Sequence, residues 1–550
     1  MLKDKYFWAS MISGGFVLLL TLWHGVGSDQ ASYIYGAWVW KRFHLPPYVG
    51  SWDQNFPGIY IIHLLALELF GDSVLGFRAF DFLVQLSCLG MIFYLSKKIS
   101  GISIAGFIAV IFYGIFYYGH GSWGEGQREA FIFWLLLIAL SAVSREKDNW
   151  LKPVMSGLAV GFAFLIKPFF GLAWPVFGVM FLAQSGEKSR GRKLREAFIF
   201  TICCLLPSLL VIMYYWKTGN LLELYRATIW YNMNIYGDMA ESGYSKIMLW
   251  FYIVPHLLLR EQPLIFFLAL AALLIQMRFR RSQPDLKVFR STLALIAVSL
   301  ISYAIQAKYF PYHLIPFWGF MIILAGAAVA WLGSQPTDPD RVPGKKIFSA
   351  IISLSVIFLM IYNLNPGIMF FSANHAFRNF KQAYLNEPAP SQTQRFMMAD
   401  HYLAAQYLRP LIKKQDQIEV FSYHPLLAFE LKRKLPSRFC SVINLLLRGK
   451  SGSFQLLQKK WTDEYTGAVV SARPRFFVLS DPVFPKAEPG NMFAVFNMSS
   501  ANLTQALSDQ FPELNRFLHD NYRLINKFNY TEIYELNQDQ KPGPGTGPGN

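Results

Sequence analysis

Residues 7–23 read FWASMISGGFVLLLTLW, and residues 25–36, GVGSDQASYIYG, follow almost at once. The first run carries no charge, and as a helix it would extend about 26 Å, close to the thickness of a bilayer's hydrocarbon core. It has no small-residue cleavage site of the A-x-A kind and further apolar runs come after it, so it reads as a retained span rather than a signal peptide. An acid, Asp29, then stands just beyond the membrane boundary. Residues in such a place are expensive to keep unless they serve the protein's function.

The rest of the 550-residue chain repeats the pattern. It is 53% hydrophobic and only 15% charged, with a mean hydropathy of +0.29, whereas soluble domains carry about 25% charged residues. Apolar runs near 7–23, 74–96, 101–118, 130–144, 153–167, 169–184, 196–215, 262–277, 290–306, 314–332 and 346–363 predict about eleven transmembrane helices. The net charge of +17 lies mostly in short loops between them, including Lys97/Lys98, Arg190/Arg192/Lys193/Arg195 and Arg341/Lys345/Lys346. By the positive-inside rule these loops are cytoplasmic, which also places the N-terminus there. That distribution sets orientation and gives no footprint for nucleic acid. The four cysteines form neither a disulfide framework nor a C-x-x-C metal motif.

Three outer segments exceed simple turns: 24–73, 120–130 and 216–250. Within the first, DQASYIYGAWVWKRF has apolar residues at helical spacing, and FPGIYIIHLLALELFG (56–71) is apolar but short for a span. Both read as amphipathic outer-surface helices, lying on the membrane surface or tucked against the bundle. Residues 1–364 form the expected transmembrane domain. Residues 365–536 alternate strand-like runs (417–423, 475–481, 530–536) with helical patterns (399–414, 500–522), as in an α/β domain on the periplasmic side. The glycine- and proline-rich end, 537–550, reads as a disordered tail.

The ionisable residues of interest map to the outer ends of the spans: Asp29, Asp53, Arg128, Glu129, Lys167, Lys308 and His313. Acids and cations converging there suit transfer of a sugar from a lipid phosphate. A carboxylate takes the acceptor proton, and cations hold the charge that builds on the departing phosphate. Each residue also has a plainer role open to it. Asp29 fits a first-turn helix acid, Arg128–Glu129 an interfacial ion pair, Lys167 a snorkelling lysine, and His313 a histidine satisfied by backbone. A transporter or flippase without bond-making chemistry is the alternative. Transporters tend to show paired repeats and broken helices at the midplane, whereas here the charges cluster at one end.

The sequence resembles the membrane glycosyltransferases of the C-type fold that use polyprenyl-phosphate sugars. These include protein O-mannosyltransferases, aminoarabinose transferases acting on lipid A, and bacterial enzymes that decorate lipopolysaccharide. Residues 28–83 resemble the family's first loop, with an acid after the first span, an aspartate before proline-glycine, and an arginine at the next span. GQREAF (126–131) occupies the place of the second acidic motif, FLIKPFF (164–170) that of a lysine-proline motif, and AKYFPYHLIPFWGFMIIL (307–324) that of a late aromatic-histidine-proline motif. Residues 518–536 resemble the close of the periplasmic domain.

The resemblance implies an inverting transferase in a bacterial inner membrane, with an undecaprenyl-type donor, membrane lipid around it, and a glycan, lipid or protein acceptor. Asp29 and Glu129 would be catalytic, and Arg128, Lys167, Lys308 and His313 would bind the donor phosphate. Asp53, Tyr33 and Arg78 would contact substrate. A divalent cation, Mg or Mn, would be held by Asp29 and Glu129 if one is used. One departure stands out. Aminoarabinose transferases have a lysine before paired prolines, and this chain has Asn55-Phe56-Pro57-Gly58.

Overall fold

The structure is a computed structural model that describes residues 3–145, 149–183, 189–238, 261–279, 285–306, 308, 310–333, 354, 398–447, 456–480 and 502–537. The expected span 346–363 (Leu354 apart), the outer loop beyond 238, the 341–346 basic cluster and the 538–550 tail lie outside these residues. Helices occupy the other ten expected span positions. They are α1 (Lys5–Leu19), α4 (Val74–Ser100), α5 (Ser103–Tyr118), α6 (Arg128–Val143), α7 (Leu151–Ile166), α8 (Ala173–Leu182), α9 (Arg190–Lys217), α10 (Pro263–Phe279), α11 (Leu286–Gln306) and α12 (Ile315–Gly333). Among the described residues, five helical stretches are both long and apolar enough to cross a membrane. The expected span 169–184 begins as a 3-10 turn, Pro168–Leu172, before α8, because proline supplies no N–H and fixes the entry angle.

Two further helices form in the first outer segment, α2 (Ser28–Phe43) and α3 (Gly58–Phe70), but α2 is buried without a break from Tyr33 to Val39, so it is tucked into the protein and does not lie along a surface with one face bare. The hub of the bundle is α12, in which every residue from Ile315 to Trp331 is buried. A helix apolar all round is stable only inside a bundle, and α12 packs on α4, α5, α10 and α11. At the other extreme, α9 turns Leu205, Leu206, Leu209, Leu210 and Met213 outward, as a lipid-facing helix does. It meets α7 across Gly157 and Gly161, where any side chain would collide with Phe200, Cys203 or Cys204. Small residues four apart let two membrane helices approach closely.

After residue 397 come α13 (Met398–Leu408), α14 (Leu426–Glu430), α15 (Leu456–Ala472), α16 (Leu503–Gln510) and α17 (Pro512–Asn521). They surround a four-stranded sheet of β1 (Ile418–Phe421), β2 (Phe476–Ser480), β3 (Tyr522–Lys527) and β4 (Thr531–Leu536), ordered β1-β2-β4-β3. β1 and β2 are parallel, and the other pairings are antiparallel. Three strands lie at the expected runs. The fourth, YRLINK, does not follow from the helical pattern read to residue 522, because the helix stops at Asn521 and the chain pairs back on β4.

This α/β unit packs on the first outer segment. The Trp52 indole lies 4.8 Å from that of Trp461 and 4.9 Å from the Tyr231 ring. The Trp52 backbone N–H donates to the Arg438 carbonyl at 2.6 Å, and the Leu435 backbone N–H donates to the Tyr35 hydroxyl at 2.8 Å. The irregular stretch 435–440 thereby props the loop that carries Asp53.

Candidate active site

The first acid enters on the opening turn of α2. Gly27 precedes it, where a Cβ would meet Gln30 and the backbone of Trp123. The lack of a side chain thus lets the loop before α6 lie against the start of α2. Asp29 Oδ2 accepts from the Tyr312 hydroxyl at 3.2 Å and from Gln127 Nε2 at 3.4 Å. Oδ1 makes no hydrogen bond among the described residues.

Gly126 adopts a left-handed φ of +66°, a conformation glycine tolerates without strain. The chain then turns into α6, whose first residues are Arg128 and Glu129. Glu129 is fully buried. Its Oε1 binds the ammonium of Lys167 and lies 3.6 Å from His313 Nε2, while Oε2 has no hydrogen-bond partner. Lys167 arrives at the end of α7, placed by the break at Pro168. Arg128 donates through Nη1 to Asn55 Oδ1 and lies over the Tyr33 ring, with the guanidinium carbon 5.9 Å from its centroid. The Asn55 amide thereby seats a cation from another loop.

Asp53 is buried beside Asn55, accepting from its N–H at 3.3 Å and from Nδ2 at 2.9 Å. Burial pushes its carboxyl above the ordinary range, against the Asn55 hydrogen bonds, and Asp29 adds to the rise while Arg128 opposes it. Burial likewise holds the Tyr33 phenol well above its usual value. Lys308 donates to the Tyr236 carbonyl at 2.5 Å and stands 4.6 Å over the Tyr236 ring. Tyr236 is in turn within electrostatic reach of Arg128, Asp29, Asp53 and Glu129, and burial pushes its phenol up to about 12.

The structure therefore brings Asp29, Arg128, Glu129, Lys167 and His313 together, with Asp53 and Tyr33 beside them and Lys308 joined through Tyr236. Arg78 stands apart. It is wholly buried behind the loop, donating to the carbonyls of His24 (3.2 Å), Ser122 (3.2 Å), Glu125 (3.3 Å) and Gly25, with Glu125 Oε2 3.6 Å from Nη1. Its reach covers both the approach to Asp29 and the approach to Arg128–Glu129. Gln30 Nε2 adds to this tie, donating to Trp123 O at 3.1 Å and Glu125 O at 2.7 Å. Tyr312, Gln127, Asn55 and Tyr236 join the site without having been singled out as candidates. The first two sit next to or near named residues in quoted motifs, the nearest thing to a signal in the sequence.

Among the described residues no three His, Cys, Asp or Glu gather as a metal site. The Lys167 ammonium holds Glu129 Oε1 and two neutral donors hold Asp29 Oδ2, which leaves Glu129 Oε2 and Asp29 Oδ1 as the carboxylate oxygens a divalent ion would use. Among the described residues no third carboxylate or imidazole completes such a site.

The arrangement is that of the C-type membrane glycosyltransferase fold, as the sequence resemblance implied. The family model for dolichyl-phosphate-mannose-protein mannosyltransferase matches residues 54–216. The solved structure of ArnT from Cupriavidus metallidurans, bound to undecaprenyl phosphate, superposes with a TM-score of 0.55 at 13% identity, covering 97% of this chain and 98% of that one. The oligosaccharyltransferase AglB from Archaeoglobus fulgidus, in complex with an inhibitory peptide and a dolichol-phosphate, matches with a TM-score of 0.46 at 11% identity, over 87% of this chain and 70% of that one. No curated protein matches the sequence.

Proposed function

We propose that the protein is an inverting glycosyltransferase that moves a sugar from a polyprenyl phosphate, of the undecaprenyl type, to an acceptor hydroxyl at the outer face of a bacterial cytoplasmic membrane. One observation carries this reading. A carboxylate with an unoccupied oxygen, Asp29, is fixed by two neutral donors beside a buried set of cations. A base and a phosphate cradle are the two requirements of the reaction.

In the proposed step, Asp29 Oδ1 takes the proton of the acceptor hydroxyl as its oxygen attacks the anomeric carbon. The bond from that carbon to the phosphate oxygen breaks on the opposite face, with inversion. The polyprenyl phosphate leaves as an anion and needs charge rather than a proton. Arg128 and the remaining N–H groups of Lys167 meet that charge, with His313 and Lys308 behind them. Glu129 holds Lys167 in place and Asn55 holds Arg128. Asp53 and Tyr33 line the acceptor side. The acceptor is a glycan, lipid or protein hydroxyl, and the α/β unit after residue 397, against the first outer loop, is where acceptor choice would be made.

The test is reconstitution of the purified protein in vesicles with undecaprenyl-phosphate sugars of known anomeric configuration and extracted envelope fractions. Transfer with inverted configuration supports the proposal. Translocation of the intact donor without transfer would support the flippase alternative and reject this one.

A further inference from the structure

The α2–α3 corner, away from the site, has charges the transfer reaction does not use. The last turn of α2 carries Lys41 and Arg42. Lys41 Nζ donates to the Leu67 carbonyl at 2.7 Å and pairs with Asp72 at 2.9 Å. Arg42 Nη2 pairs with the same carboxylate at 2.5 Å. The turn after α14 brings Lys432 to this corner, with Lys434 two residues on. The Lys432 ammonium lies 3.5 Å over the Phe429 ring, which packs edge-on to Trp38 of α2, and it is within electrostatic reach of Asp72, Arg42 and Arg409. Arg433 fastens the turn by donating to the Lys413 and Lys414 carbonyls at 2.9 and 2.7 Å. Lys41, Arg42, Arg409 and Lys432 thus share the corner with three acids, Glu68, Asp72 and Glu430, and Lys434 follows two residues after Lys432. Arg42 and Arg409 each leave 57% of the side chain exposed.

Beside these cations is an apolar strip. Phe43 is 44% exposed, Leu65 48% and Leu69 62%, with Phe70 and Leu75 also outward. Asp72 and Ser73 immediately precede α4, a membrane-crossing helix whose far end carries Lys97 and Lys98. Because α4 is apolar and long enough to cross a membrane, the corner at its outer start falls at a membrane–water boundary.

We infer that the α2–α3–α14 corner is a docking surface for the phosphate headgroup of an anionic membrane phospholipid. The cations meet the headgroup and the Phe43–Leu65–Leu69 strip meets its acyl chains. An excess of cations over a lipid-facing apolar strip attracts anionic lipid at roughly 1 kcal/mol per Lys or Arg near the surface, or about fivefold per cation, and apolar burial adds to it. A soluble acidic partner would use the charges but leave the strip uncovered. The bound lipid would bridge α14 to α2 and so hold the α/β unit against the helix that begins with Asp29.

The test uses the full chain in vesicles containing photoactivatable phosphatidylglycerol or, separately, photoactivatable phosphatidylcholine, with labelled peptides mapped by mass spectrometry. Peptides spanning 41–75 are expected to label preferentially with phosphatidylglycerol. The triple variant Arg409→Gln, Lys432→Gln, Lys434→Gln should lose that preference by about tenfold or more. A double variant on the exposed face of α15, Lys459→Gln and Lys460→Gln, should keep it, and thermal melting checks that both variants fold. Equal labelling by the two lipids in the unaltered protein, or unchanged preference in the triple variant, overturns the inference. So would an amine-directed cross-link from Lys432 or Lys434 to an acidic protein in native membranes, found without any lipid preference.

Discussion

The Tyr312 hydroxyl donates to Asp29 Oδ2 at 3.2 Å, joining the turn that leads into α12 to the start of α2 across 283 residues of sequence. The ring stacks on Phe310 and packs edge-on to His313, so its position is set by the same motif that supplies the imidazole. Tyr312→Phe retains the packing and deletes one donor to a carboxylate, a contact worth about 1.5–3 kcal/mol when charged. A fall in kcat of about tenfold or more is expected, with little change in donor KM, read by steady-state transfer in vesicles. Unaltered kcat would make the contact incidental.

Arg78 holds the approaches to both acidic motifs through four carbonyls without touching the site. Lysine keeps the charge but not the planar fork that reaches several acceptors at once. Arg78→Lys is therefore expected to lower kcat about ten- to a hundredfold while donor KM stays nearly constant, because orientation rather than binding is lost. An equal loss through KM would point to direct substrate contact instead.

The Lys167–Glu129 pair is buried, and removing one member of such a pair leaves an uncompensated charge that costs about 3–5 kcal/mol. Lys167→Met should lower the melting temperature in detergent sharply. Adding Glu129→Gln should restore most of it without restoring transfer. Equal melting of the single and double variants would show that the pair contributes little to stability.

Glu419, in β1, is fully buried, with Oε1 accepting from the Tyr465 hydroxyl at 2.8 Å and Oε2 unpartnered. Burial raises its carboxyl from 4.5 to about 7, against the lowering by Tyr465. The fold thus prefers the protonated form, so stability is intact below the unfolded value and is lost as pH rises through about 7. Glu419→Gln should leave melting unchanged near about pH 4 and raise it near about pH 8, by on the order of 3 kcal/mol. A stabilisation that is the same at both pH values would contradict this.

Much of the helical frame was legible because a bilayer demands long uncharged runs, and ten such runs coincide with helices. The 13-residue α3 lies within the expected apolar stretch 56–71. β3 was not, since YRLINK acquires its conformation from pairing with β4 rather than from its own pattern. At the site, Asp29, Arg128, Glu129, Lys167 and His313 stood out because charge beside a membrane is costly. That Asn55 seats Arg128, that Tyr312 meets Asp29, and that Arg78 grips carbonyls from two loops are long-range contacts that no local pattern encodes. The resemblance puts Arg78 against substrate, and in the structure its guanidinium meets the carbonyls of His24, Gly25, Ser122 and Glu125.

The most direct test of the proposed chemistry is single-turnover transfer by Asp29→Asn, with sugar passing from an undecaprenyl-phosphate donor to acceptor in vesicles at saturating donor. The amide keeps the size and can still accept from Tyr312, but it cannot take a proton. The expected result is normal membrane insertion, melting and donor binding, with the transfer rate down by about a hundredfold or more. Transfer near the unaltered rate would remove Asp29 from the reaction.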